Sequence, residues 1–370
     1  MTYQVVFADL LTDETIARFA ADGLRFGRRI GEAEEISGSI PIRDAPTAER
    51  LRALVAKRTA VYVYQGQTIL CGGVLWTPTP KWSKRSAETW EFSASTFESY
   101  WDRVVISDDI PELLGVDQFV IARSLVDHMQ ADPHANIGVL THLNPAMAEP
   151  LSGVTRDRTE YLASANKSYG EALAELGKVL DGFEWTIDVW ADPVSGIRTK
   201  HLRLGHPTIG RPDGALVLER QDLEAWETPP DPTAGTRFRA RGGTPQGSGA
   251  GQQQPLLSDI HSRDDLLSAG WPRLDVVEDH STVEDVDVLN DYAAKAVATL
   301  GGPVAIPQLG INLGRAAISP LNLGDTVRLR MRTVYAGLVD VRYRMVGITV
   351  QAGGRTSPGT AQLTLEEVAT

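Results

Sequence analysis

The residue types that could do chemistry are present but scattered. Seven histidines are spread along the chain. His128 falls in a helical pattern with no second histidine or cysteine four residues away. His201 and His206 are five apart, so on a strand they face opposite sides and cannot share a metal ion. No HExxH occurs. Ser164-Ala-Asn-Lys167 has the serine–lysine spacing of penicillin-recognising enzymes, but the accompanying motifs are missing and two fixed residues recur by chance. Gly247-Ser248-Gly249 lacks the spacing of a nucleophile elbow and lies in a run that could not hold a serine in place. The glycines between Gly242 and Gly251 spell neither a P-loop nor a dinucleotide fingerprint. Cys71 is the one cysteine, so no intrachain disulfide or thiolate-rich metal site can form, and its apolar neighbours Ile69 and Leu70 mark it as a small core residue. The expectation is a chain that is not an enzyme, with no catalytic residue, no cofactor and no metal.

The charges are more organised. Lys and Arg against Asp and Glu give 36 − 48 = −12, which argues against non-specific nucleic-acid binding. Asp275, Glu278, Asp279, Glu284, Asp285, Asp287 and Asp291 form an acidic cluster without the turn glycine and closing Glu of a calcium loop. Arg328, Arg330 and Arg332 alternate with Val327, Leu329 and Met331, and Arg342 and Arg344 alternate with Val341, Tyr343 and Met345. Two such strands, if paired, carry one apolar and one arginine-bearing face. A surface of each sign suggests head-to-tail assembly into a closed ring.

The elements behind these residues are mostly short strands, as 34 glycines and 21 prolines lead one to expect. Alternation marks Tyr3–Ala8, Ile36–Ile42, Ala60–Tyr64, Thr68–Trp76 and Ser86–Phe97, with Gln65-Gly66-Gln67 as a hairpin connection. Helical spacing marks Pro46–Lys57 after a capping Asp44, and Thr12–Ala20 fits helix or strand equally. Helices are then expected at Asp117–Gln130 and Tyr169–Leu180, followed by strands Phe183–Trp190 and Arg198–Leu204. Gly242–Pro255 is expected to be a mobile loop, Val283–Leu300 a helix, and Thr326–Val334, Val339–Val350 and Thr360–Glu366 strands. The fold class that follows is α+β, mainly β. It has two small β-barrel-like domains (1–110 and 231–370) with a small α+β domain (111–230) between them. The second barrel carries the loop 242–255 and the helix 283–300. The N-terminus has no signal-peptide pattern, no apolar run approaches ~18 residues, and synthesis in the cytoplasm without a membrane span is expected.

In order and spacing the chain resembles minor tail proteins of actinobacterial siphophages, the group that builds the tail-tip baseplate hub. Arg25-Phe-Gly-Arg-Arg-Ile30 precedes Ile36-Ser-Gly-Ser-Ile-Pro-Ile42. The helix Thr47–Lys57 and Val61-Tyr-Val-Tyr-Gln-Gly-Gln-Thr-Ile-Leu-Cys-Gly-Gly-Val-Leu-Trp76 follow, then Thr89-Trp-Glu-Phe-Ser-Ala94 and Tyr100-Trp-Asp-Arg-Val-Val-Ile106. Ala269-Gly-Trp-Pro-Arg273 and Leu323-Gly-Asp-Thr-Val-Arg-Leu329 fit late in the chain. Cys71 stands where the pattern would carry a bulkier side chain.

The resemblance implies a structural virion protein at the tail tip. It would be a homotrimeric ring with pseudo-sixfold symmetry joining the tail tube and distal tail ring to the tip. Its implied partners are the distal tail protein, the tape measure protein and other tail-tip proteins, with no membrane and no specific nucleic acid, though the genome could pass through the ring. Two rival readings are a tail-associated peptidoglycan hydrolase, for which no nucleophile or acid–base pair stands out, and a host-surface glycan-binding module. The latter would use Trp226 and Trp271 beside prolines, Trp90 and Trp101 being expected in the core of strands.

Overall fold

The computed structural model describes residues 3–84, 86–143, 149–211, 216–244, 254–281, 283, 285–302, 306–354 and 358–367. The chain divides into two compact units. One consists of Met1–Ala174, Phe183–Trp226 and Gln308–Thr370, the other of Glu175–Gly182 and Glu227–Pro307.

The first unit begins with strands β1 (Tyr3–Asp9), β2 (Thr15–Phe19), β3 (Asp22–Arg29) and β4 (Glu35–Pro41), helix α1 (Ala45–Arg52), and strands β5 (Thr59–Gln65), β6 (Thr68–Ser83) and β7 (Ser86–Thr96). Period-two burial shapes them: Val5 and Phe7, Leu24 and Phe26, and Ile36 and Ile40 all lie in one core. The ambiguous stretch after Thr12 is therefore a strand, with Ala17 and Phe19 pointing inward. Asp44 caps α1 by accepting from the Thr47 amide at 2.8 Å, but the helix ends at Arg52 rather than Lys57 because only Leu51 on it is buried. Lys57 instead adopts φ +67° and turns the chain into β5.

Next come α2 (Glu98–Trp101), β8 (Ile110–Asp117), α3 (Gln118–Gln130), β9 (Val139–Leu140), β10 (Thr155–Tyr161), α4 (Tyr169–Lys178), β11 (Glu184–Ala191), β12 (Arg198–Gly205), β13 (Leu216–Glu219) and β14 (Leu223–Glu227). Trp101 is fully buried as expected, but in a one-turn helix instead of a strand. Asp117 starts α3: its carboxylate accepts from the Phe119 and Gly153 amides at 2.9 Å each and from the Ser152 hydroxyl at 2.9 Å. Burial opposes its charge, but these hydrogen bonds outweigh burial and hold the carboxyl below the usual range. Strands β11 and β12 pair antiparallel, from Glu184 opposite Gly205 to Ala191 opposite Arg198.

The unit closes with β18 (Gln308–Asn312), β19 (Thr326–Thr333), β20 (Gly337–Gln351) and β21 (Thr360–Glu367). Two separate barrels are not what forms. A single 13-stranded sheet runs β14-β18-β21-β20-β3-β4-β7-β6-β5-β1-β2, with β19 and β13 branching from β20, and among the described residues it does not close. The reason is the length of β20. Its first half pairs with β19, from Thr333 opposite Gly337 to Thr326 opposite Arg344. Its second half pairs with β3, from Gly347 opposite Arg29 to Gln351 opposite Arg25. Strands from the two ends of the chain thus share one sheet and one hydrophobic core, in which Phe7, Phe92, Leu329 and Met345 all take part.

The second unit holds β15 (Arg237–Arg241), β16 (His261–Ser262), α5 (Asp264–Ser268), β17 (Asp275–Asp279), α6 (Val286–Leu300) and the last turn of α4. Strand β15 pairs antiparallel with β16 and parallel with β17. Asp285 caps α6, accepting from the Asp287 amide at 2.8 Å. The helix turns Leu289, Tyr292 and Ala293 onto Ala240 and Val179. Val286, expected on that face, is exposed, and Tyr292 fills it instead. The glycine- and glutamine-rich stretch expected to be mobile falls largely at 245–253, outside the described residues, as do Ser248 and Glu284.

Candidate functional site

The arginine strands do pair, and the faces separate as alternation requires. Val327, Leu329 and Met331 are buried while Arg330 and Arg332 are exposed and Arg328 is half-buried. The face is only partly basic, because Asp340 on β20 lies opposite Arg330. Its carboxylate takes a bidentate pair from Arg328, at 2.6 and 2.8 Å, and reaches Arg330 at 3.6 Å. The hydrogen bond from Arg328 is the main cause of the lowered Asp340 pKa. Arg344 leaves the face altogether: it is buried, gripping Glu184 at 2.6 and 2.7 Å and Glu366 at 2.5 Å. Arg332 and Arg342 remain exposed at the surface, and Arg220 joins them by donating to the Arg332 carbonyl at 3.5 Å.

The connection between these strands is a three-residue loop, Val334–Ala336, between paired Thr333 and Gly337. Gly337 adopts φ +68°, the left-handed turn residue such a loop needs, and the Ala336 amide donates to Thr333 Oγ1 at 2.9 Å. On this pinned turn Val334 is wholly exposed, Tyr335 is 95% exposed and Leu338 is 75% exposed. No charge or motif in the sequence marks this tip. The signal was the break in alternation after Arg332.

The β17 part of the acidic cluster is matched from within. In the parallel β15–β17 pair, Arg237 lies opposite Asp275 and Arg241 opposite Asp279, with ion pairs of 3.5 and 2.5 Å. Arg273 adds a second partner to Asp275 at 2.7 Å, and Glu278 faces His280 at 3.4 Å. An unscreened acidic docking face is therefore not what β17 presents. The alternating arginines of β15 were the overlooked signal.

A third arrangement is buried. The β11–β12 hairpin lies against the main sheet through a row of polar contacts. Arg28 on β3 donates to Asp188 Oδ1 at 2.6 Å and to Thr186 Oγ1 and the Ile187 carbonyl at 3.2 Å each. Glu98, fully buried, accepts from the Ile187 amide at 2.9 Å and the Thr186 hydroxyl at 3.2 Å. Burial pushes its carboxyl up, opposed by the Ile187 amide and by Arg28. Farther along, Arg198 reaches Asp13 at 2.7 Å and stacks 4.8 Å from the centre of the Tyr62 ring. Lys200 donates to the Ile137 carbonyl and lies 5.1 Å from the Phe97 ring centre. Its burial lowers the ammonium pKa to about 8. Each charge has its partner, so the row fixes the hairpin's register and position and leaves no open site for a reacting atom.

The residues weighed for catalysis are placed apart. Ser164 is exposed on a single 3-10 turn, Ala163–Ala165, and Lys167 follows the left-handed Asn166. His128 Nδ1 lies 2.7 Å from the Tyr169 hydroxyl. His201 packs edge-on to Trp190, and His206 lies past the end of β12. Cys71 is buried, and burial pushes its thiol far above the usual range. Trp226 packs against the main core while Trp271 is exposed, and an unexpected Trp82 stands out at the end of the long β6–β7 hairpin. An open cleft of about 470 Å³ lies along Asp127, Gln130 and Thr141, but its polar groups are engaged. Gln130 bonds both the amide and carbonyl of Val139 at 2.8 Å, and Thr141 donates to Asp127 at 2.7 Å. Among the described residues no group of three His, Cys, Asp or Glu side chains could hold a metal ion, and no helix is long and apolar enough to cross a membrane.

No protein-family model matches the chain, and no curated protein matches it. Solved structures do. A tail protein from Neisseria meningitidis superposes over 99% of this chain and 97% of its own, at TM-score 0.61 and 13% identity. The tail protein of prophage MuSo2 from Shewanella oneidensis covers 98% of both chains at TM-score 0.55 and 11% identity. A prophage tail protein from Listeria monocytogenes covers 99% of this chain and 95% of its own, at TM-score 0.52 and 12% identity. At these identities the likeness is one of fold, and it runs end to end.

Proposed function

We propose that the chain is a structural protein of a bacteriophage tail, placed at the tail tip as the baseplate hub of an actinobacterial siphophage. In this reading copies of the chain form a homotrimeric ring that joins the tail tube and distal tail ring to the tip. Its working parts are surfaces, not a reaction centre. The observation that carries the proposal is the end-to-end match to three tail proteins, two of them from prophages, which leaves almost no part of this chain or of theirs without a counterpart. The order of segments from Arg25 to Ile106 supports the finer placement at the tip.

The test is genetic and visual. A nonsense mutation in the coding gene is expected to yield heads with absent or tipless tails, and antibody to the chain should label the distal end of wild-type tails. Morphologically normal, infectious particles that lack the chain would overturn the reading. So would a cleared band from the pure protein on a peptidoglycan zymogram, which would favour the hydrolase.

A further inference from the structure

We propose that the β19–β20 hairpin tip docks onto a second copy of this chain, at the paired turns formed by β11–β12 and β1–β2. The proposal rests on the assembly reading above and names the surfaces that would carry it. Two observations meet here. The first is the pinned tip, where Tyr335 and Leu338 stand in solvent and Arg332 lies opposite Leu338. Compact chains rarely leave several large apolar side chains together in water, and where they do the patch marks a contact.

The second is a patch of matching kind and opposite sign. The β11–β12 turn carries Val194 at 94% and Ile197 at 67% exposure. Arg198, next along the chain, ties this turn to Asp13 and to Thr15 Oγ1, and so to the β1–β2 turn, where Leu11 and Glu14 are exposed. Arg58 there is matched by Asp9 at 3.2 Å, while the Glu14 and Asp192 carboxylates stand exposed at the rim. The turn is fixed like the hairpin tip: Asp192 Oδ1 accepts from the Val194 and Ser195 amides at 3.0 and 2.6 Å. Two rigid turns lose little conformational freedom on meeting.

The two patches are placed to meet a neighbour and not each other. Strands β20 and β11 touch at the Arg344–Glu184 pair. From there Leu338 lies six residues back along β20, about 20 Å at strand rise. Strand β11 leaves the same pair past Arg28 toward the turn held by Asp13. A contact between different surfaces of identical chains is head-to-tail, and each copy offers both halves.

Sedimentation of the full-length protein over a concentration series tests this, with Arg332→Glu, Tyr335→Ser, Glu14→Arg and the double variant Arg332→Glu/Glu14→Arg. All the altered side chains are exposed, and far-ultraviolet circular dichroism checks that each variant folds. Wild type is expected to associate by mass action, each single variant to associate at least about tenfold more weakly, and the double variant to recover most of the loss. Single variants that associate like wild type, a double variant no better than its parents, or a wild type monomeric throughout each overturn the inference. The functional reading is scored separately by labelling of tails. A chain that labels tail tips while its variants associate normally sinks this interface alone, and charge-swap rescue in a chain absent from tails sinks only the hub.

Discussion

Lys200 offers a quantitative check on the seating of the β11–β12 hairpin. Its ammonium group is buried against Phe97 and the Ile137 carbonyl, and burial holds its pKa at about 8 against 10.5 for a free lysine. The unfolded chain therefore keeps this proton to a higher pH than the folded chain does. Between the two values the unfolded state binds more protons, so stability rises with pH across that window. The full difference is worth about 3.4 kcal/mol, and the part that falls between about pH 7 and pH 10 is about 2.5 kcal/mol. Lys200→Met keeps the aliphatic stem and removes the titration. The quantity to measure is the unfolding free energy of wild type minus that of the variant, from urea curves at each pH. Near-ultraviolet circular dichroism of the stacked Trp101 and Trp185, 5.4 Å apart, reports on the same hairpin. Subtraction cancels every other titrating group. The difference should climb in favour of wild type by about 2–3 kcal/mol as pH rises. A difference flat to within about 0.5 kcal/mol would mean that water reaches Lys200, and the buried row of charges would not be the seat of the hairpin.

Three other perturbations separate causes that look alike in the sequence. Asp117→Ala removes the cap of α3 and the anchor of Ser152 and Gly153, and should cost about 1–2 kcal/mol in urea unfolding. Because its carboxyl is held low, this contribution is present above the ordinary carboxylate pKa and fades as pH falls through the lowered one; equal losses at neutral and strongly acidic pH would contradict it. Gly210→Ala should prevent folding or cost more than about 3 kcal/mol, since Gly210 has φ +116° and a Cβ would sit 1.9 Å from the Gly324 carbonyl oxygen. Gly153→Ala, at φ +79° in open space, should cost only about 1–2 kcal/mol of backbone strain; similar melting temperatures for the two would refute the close approach. Arg344→Met takes the charged partner from the part-buried Glu184 and should cost about 3–5 kcal/mol, far more than Arg328→Met at its solvent-facing pair, a contrast that thermal unfolding of both can check.

What the sequence disclosed was local. Asp44 and Asp117 are legible as caps because a capping carboxylate reaches an amide only two or three residues on, whereas the expected start at Val283 put the true cap Asp285 inside its helix. The arginine strands are legible because alternation is a property of one strand. The junction of β3 with β20 was not, since it joins segments more than 300 residues apart and nothing near Arg25 or Gln351 signals the partner. Without that junction the two sets of strands read as two barrels. Tyr292 went astray for a related reason: it is an aromatic residue whose burial is decided by what packs over it, here His280.

The electrostatics needed a register that could have been worked out. Once Val334–Ala336 is taken as a three-residue loop, counting back places Asp340 opposite Arg330 and Arg342 opposite Arg328. The basic stripe then shrinks to its solvent end. The same counting on β15 and β17 sets Arg237 against Asp275 and Arg241 against Asp279. Part of each charged surface is thus spent on its own strands, which weakens the bulk attraction between them. What survives is smaller and better defined: Arg332, with Arg220 bonded to its carbonyl, beside a bare apolar tip. Rim charges of this kind mainly orient and speed an encounter, while desolvated aromatic and aliphatic side chains at the centre supply the lasting affinity. An assembly built this way should depend more on Tyr335 than on any single arginine.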